Sequence, residues 1–158
     1  MFKRVVIPLD GSELAEAILP FIMQIAGPLD LEVTLLRVVQ PLPPEVIEGA
    51  RRVVLDDIER RQQEAETYLA ELATSIAGSG VQVRTEVRVG VPVREIVACA
   101  REREVDFIAM TTHGRSGLGR LLFGSVAETV LRQGDFPVFF LRQTEKQVRE
   151  RAARAGAL

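Results

Sequence analysis

Five short apolar runs, the first four each followed by a stretch of helical periodicity, constrain the fold of this chain more than any other feature. The first run, Val5, Val6 and Ile7, ends at Pro8, Leu9 and Asp10. Ser12 can then cap a helix with Ala15, Ile18, Leu19, Ile22 and Ile25 at helical spacing, and Gly27 and Pro28 are its stop. Leu31 to Val39 reads as the second strand, closed by Pro41, Pro43 and Pro44. Ile47, Val54, Ile58, Ala65, Leu69, Leu72 and Ile76 form the stripe of a long amphipathic helix, with Gly78 and Gly80 beyond it. Val81 to Val89 alternates apolar and polar residues, the pattern of a strand half exposed or near a sheet edge. Gly90 and Pro92 turn the chain into a helix carrying Val93, Ile96, Val97 and Ala100; Asp106 to Thr111 is the fourth strand and Pro137 to Leu141 the fifth.

This alternation predicts the α/β class: one domain, an open five-stranded parallel sheet with helices on both faces, Rossmann-like in architecture. In such sheets ligands bind outside the carboxyl ends of the strands, near the point where strand order reverses. The length of 158 residues suits one domain, and 47% apolar with 27% charged residues is the balance of a folded chain. Residues 143–158 hold Lys146, Arg149, Arg151 and Arg154 against Glu145 and Glu150 with few large apolar groups, and read as a frayed or partly helical charged tail.

A formal net charge of −2 gives no general attraction to nucleic acid. Cys99 is the only cysteine, which excludes an intrachain disulfide and a cysteine-rich zinc site; a small buried hydrophobe is its expected state. No signal-peptide arrangement precedes the first strand, and no apolar run approaches the ~20 residues of a membrane span. The expectation is a cytoplasmic protein with neither membrane nor nucleic-acid partner.

Chemistry concentrates in Met110 to Val126, Met-Thr-Thr-His-Gly-Arg-Ser-Gly-Leu-Gly-Arg-Leu-Leu-Phe-Gly-Ser-Val, between a strand end and a helix start. Unpaired N–H groups and the positive end of the helix dipole favour an anion there, and glycines let backbone approach it. Two well-known phosphate loops fail on spacing. Gly119 to Ser125 has serine where a P-loop needs lysine, and Gly117 and Gly119 are followed by Leu122 where the dinucleotide pattern needs glycine. What remains is Gly114, nine residues, then Gly124 and Ser125, with Thr111 three residues before Gly114.

That segment resembles the nucleotide-binding signature of the universal stress protein family: G, two residues, G, nine residues, G, then S or T. Thr111 replaces the first glycine. The resemblance extends over residues 1–142 through Phe2 to Ser12, Leu35 to Val39, the GxPxxxI pattern of Gly90, Pro92 and Ile96, and Gly134 to Leu141. It implies an adenine nucleotide α-hydrolase-like fold and a regulator in the stress response that binds ATP, with magnesium or manganese on the phosphates and slow or no hydrolysis.

The resemblance carries Asp10 over as an acceptor near adenine or ribose, with Pro8, Leu9 and Val38 as apolar walls; the alternative is that Asp10 organises a turn with Ser12. On the other side it implies Met110, Thr111, His113, Gly114, Arg115, Gly117, Gly124, Ser125 and Val126, with Arg115 on phosphate oxygens and the Val126 amide completing the cradle beside Ser125. Arg120 reads as a solvated surface residue. A triad of Ser116 or Ser125 with His113 and Asp10 lacks the GxSxG elbow, so no catalytic residue is assigned. Pro137 to Leu141, with Phe139 and Phe140 on opposite faces, is the edge through which family members commonly form homodimers. Two rival readings stand: a nucleotide-free dimeric interaction protein in which Thr111 blocks the pocket, and an adenylating or α-hydrolase-like enzyme.

Overall fold

The computed structural model describes residues 1–43, 51–77, 80–113 and 125–155. Strand β1 (Arg4–Leu9) leads through α1 (Glu13–Glu16) and α2 (Leu19–Leu29) to β2 (Glu32–Val39). Helix α3 (Arg51–Ile76), β3 (Gln82–Val89), α4 (Pro92–Glu102), β4 (Phe107–His113), α5 (Ser125–Gln133), β5 (Val138–Gln143) and α6 (Glu145–Ala155) follow. All five strands pair in parallel, in the order β3-β2-β1-β4-β5. The expected α/β architecture is present, with β3 at an edge as its half-polar alternation implied.

Strand alternation divides the core. Val5, Ile7 and Leu9 of β1, Val33 and Leu35 of β2, and Phe107 and Ala109 of β4 pack with Ile18, Ile22 and Leu69 on one face. Val6, Leu36, Ile108 and Met110 pack with Ile96, Cys99, Ala100, Ala127 and Val130 on the other. Both faces of the central strands are therefore apolar, which is why β1 reads as a continuous run. Cys99 is fully buried, and burial pushes its thiol up to about 11, so it is protonated at neutral pH.

Several boundaries differ from expectation, the first two for a local reason. The helix after Ser12 is two helices, because Pro20 lies in the first turn of α2 and could not donate to the preceding turn. The expected stop at Gly27 and Pro28 moves to Asp30, whose left-handed backbone (φ 51°) returns the Asp30 and Leu31 N–H groups to the carbonyls of Gly27 and Ala26. Strands β4 and β5 run two residues further than expected, to His113 and Gln143, and the tail forms α6. Helix α6 starts at a reciprocal cap: the Gln147 N–H donates to Thr144 Oγ1 at 3.3 Å while Gln147 Oε1 accepts from the Thr144 N–H at 2.9 Å.

The two ends of the β1/β4 seam behave differently. At the amino end, Asp106 Oδ2 accepts the N–H groups of Lys3 (2.6 Å) and Arg4 (2.8 Å), and these bonds hold its carboxyl below the usual range. Toward the carboxyl end the paired residues are Val5 with Phe107 and Val6 with Ile108, and there the ladder stops. In this register the next bond would run from the N–H of residue 8 to the Ala109 carbonyl, and Pro8 has no N–H. β1 keeps its pairing with β2 through Leu9 and parts from β4 at Pro8.

Candidate functional site

The parting of β1 and β4 coincides with the reversal of strand order, and a cavity of about 270 Å³ opens there. Pro8, Leu9 and Asp10 come to it from the end of β1, Leu36 and Val38 from β2, and Met110, Thr111 and Thr112 from β4. Pro92 and Ile96 of α4 and Val126 and Ala127 of α5 close it. The walls are mostly apolar, with few polar groups, the pattern of a small-molecule pocket.

Asp10 is fixed by its own turn. Its Oδ1 accepts the Ser12 N–H at 2.9 Å and the Ser12 hydroxyl at 2.5 Å, and Ser12 Oγ in turn accepts the Ala15 N–H at 3.1 Å to cap α1. Gly11 between them has φ +84°, a conformation that disfavours a Cβ. The turn-organising role weighed for Asp10 is therefore real, and it holds the carboxylate at the cavity wall.

Thr111 lies within β4, paired with Leu141, and its backbone is not among the described positive-φ positions. A β-branched residue suits that extended conformation. Its hydroxyl donates to the Ala15 carbonyl at 3.3 Å, tying the end of β4 to α1 across the mouth of the crevice. The threonine side chain thus occupies part of the cavity edge.

Of the residues assigned from sequence, Pro8, Leu9, Asp10, Val38, Met110, Thr111 and Val126 meet at this one cavity. His113 ends β4 and Ser125 begins α5, while Gly114, Arg115, Gly117 and Gly124 lie outside the described residues. Since Val126 and Ala127 line the cavity, the first turn of α5 opens onto it, presenting N–H groups that have no partner within the helix. Ala15, Leu36, Pro92, Ile96, Thr112 and Ala127 were missed. A signal was available for three: Leu36 shares a strand face with Val38, and Pro92 and Ile96 sit one helical turn apart in a pattern already noted.

Among the described residues, no group of three His, Cys, Asp or Glu side chains is placed to hold a metal, and no helix is long and apolar enough to cross a membrane. The model of the Universal stress protein family matches residues 1–142. The chain belongs to that family. Universal stress protein MJ0531 of Methanocaldococcus jannaschii is 34% identical over 149 residues, covering 93% of this chain and 86% of that one. The solved structure of MJ0577, from the same organism, superposes with a TM-score of 0.78 at 28% identity, covering 92% of this chain and 99% of that one.

Two more distant universal stress protein structures share the fold and are described with a nucleotide. One, in complex with cAMP, has a TM-score of 0.58 at 20% identity and covers 90% of this chain and 98% of that one. The other, from Arabidopsis thaliana with AMP bound, has a TM-score of 0.62 at 15% identity and covers 92% of this chain and 94% of that one.

Proposed function

We propose that this universal stress protein binds ATP in the crevice between β1 and β4 and acts as a nucleotide-responsive regulator in the cytoplasm, with residues 1–142 as the binding domain and 143–158 as an appended tail. The observation that carries this reading is the meeting of Asp10, Val38, Met110 and Val126 around one cavity at the strand-order reversal. Pro8, Leu9 and Val38 wall the base and Asp10 offers an acceptor to adenine or ribose. His113, Gly114, Arg115, Gly117, Gly124 and Ser125 complete the phosphate side, where the start of α5 favours negative charge. Nucleotides bound to two related proteins support the ligand class.

Magnesium or manganese fits this chain only as an ion carried by the phosphates, since the described residues lining the cavity supply one carboxylate. Asp10 already engages Oδ1 with Ser12, so cleavage of ATP, which needs a positioned water and stabilised charge, is expected to be slow. Mass spectrometry of nucleotide released from purified protein, with calorimetric titration by ATP, tests the reading. Bound adenine nucleotide and a saturable heat are expected; folded protein giving neither would overturn it.

Thr111 favours one rival. Its side chain stands at the cavity edge where the family signature has glycine, so a nucleotide-free dimer is the reading that a negative titration would leave, and Thr111→Gly would then restore binding. We further propose homodimerisation through β5, which is at the sheet edge and leaves Phe139 44% exposed. Light scattering is expected to give twice the chain mass at micromolar concentration, and a monomer throughout would defeat the assignment.

A further inference from the structure

The opposite face of the same strand ends holds a second hollow, which the nucleotide reading does not use. Val38 turns toward the crevice, so its neighbours Arg37 and Val39 turn the other way, under α3. A cavity of about 260 Å³ opens there, lined by Gly11, Arg37, Arg61, Glu64 and Tyr68 among others. Among the described lining residues, Val38 alone is shared with the crevice.

Two arginines and one glutamate line this hollow. Glu64 accepts from Arg60 at 2.7 Å, and Glu16 accepts the Tyr68 hydroxyl at 2.6 Å. Arg61 donates to the Gln40 carbonyl at 2.8 Å and lies 3.8 Å from Asp57, which Arg60 also engages. Arg37 is half-buried, and among the described residues no hydrogen bond or ion pair engages its guanidinium. No Arg37 nitrogen is shut away from water without a partner, so its N–H donors stay open to a ligand, and an oxyanion can take two of them in parallel bonds.

The loop also makes room for this group. A Cβ at position 11 would lie 3.3 Å from Arg37 Nη1, so glycine there lets the guanidinium rest against the β1 turn. Tyr68 forms the far wall; burial, then its bond to Glu16, pushes its hydroxyl well above the ordinary range, and it feels the charges of both Arg37 and Asp10. Its proton is committed to Glu16, which leaves the two arginines as the donors.

We propose that this hollow is an anion site in which Arg37, with Arg61 beside it, holds a phosphate or phosphomonoester dianion. Two guanidinium groups match a dianion better than a single carboxylate. The site stands apart from the nucleotide reading, because it lies on the other face of the sheet.

The chain supplies its own reporter: Tyr68 is the single tyrosine and there is no tryptophan. Tyrosine fluorescence of the intact protein, titrated at constant ionic strength with inorganic phosphate and with glycerol phosphate, is expected to change saturably. Arg37→Gln should weaken that response at least tenfold with an unchanged circular dichroism spectrum, Arg61→Gln should weaken it less, and Arg4→Gln, on a remote exposed arginine, should leave it intact. No saturable response, one retained in Arg37→Gln, or one given equally by succinate would overturn the proposal. ATP titration of Arg37→Gln separates the two sites: unchanged ATP binding supports this assignment, whereas joint loss of ATP and phosphate binding would refer the anion response to the crevice. Wild-type protein that takes phosphate but no ATP would defeat the nucleotide reading alone.

Discussion

Asp10→Ala is expected to weaken ATP binding by about 10- to 100-fold, the consequence of losing one charged acceptor in a partly desolvated site. The same substitution should lower stability by about 1–2 kcal/mol, because the Ser12 N–H and hydroxyl lose the oxygen that orients them over α1. Two further variants separate these effects. Asp10→Asn keeps a carbonyl oxygen for the turn, so it should retain most of the stability while losing the negative acceptor. Ser12→Ala removes the cap to Ala15 and should cost about 1 kcal/mol of stability, with a smaller loss of affinity. Calorimetric titration and urea unfolding of the three proteins check this. If all three variants lose affinity only in proportion to stability, Asp10 is a turn residue and not a ligand contact.

Leu35→Ala should produce the largest loss of stability, about 2–5 kcal/mol, with a corresponding fall in the urea midpoint. Leu35 is fully buried in β2, opposite Ile7 in register, within the cluster shared by α2 and α3. The strand itself cannot shift to fill the space, since it is hydrogen-bonded on both sides by β1 and β3. Leu55→Ala on α3, where the side chain is 53% exposed, is the control and should change stability by no more than about 0.5 kcal/mol. An equal effect of the two substitutions would mean that the β2 core is not where the fold draws its stability. Losses of this size are a large share of what a domain of this length has in total.

Much of this was legible in the sequence because apolar periodicity follows directly from burial. Val5 to Ile7 is buried on both faces and reads as such; Val81 to Val89 alternates because β3 is an edge. Local breaks were harder. Pro20 sits inside a run whose apolar spacing continues across it, so the stripe concealed the division between α1 and α2. Thr144 and Gln147 form a capping box in a segment where charge drew attention away from it.

The candidate site was legible in part, because a spacing pattern marks the backbone that carries a ligand but not the walls facing it. Asp10, Met110, Thr111 and Val126 belong to such patterns, whereas Thr112 and Ala127 reach the cavity only through the placement of β4 and α5. The second hollow gave no sequence signal, since Arg37 and Arg61 come together only when β2 packs beneath α3.

The missing N–H at Pro8 also bears on what a ligand must do on arrival. A crevice held apart by side chains can close when those side chains turn away, but this one is kept apart by the covalent structure of one residue in the central strand. Zipping that seam would gain no bond at Pro8, so the open arrangement is favoured by the backbone itself, and less of the binding free energy is diverted to moving strands.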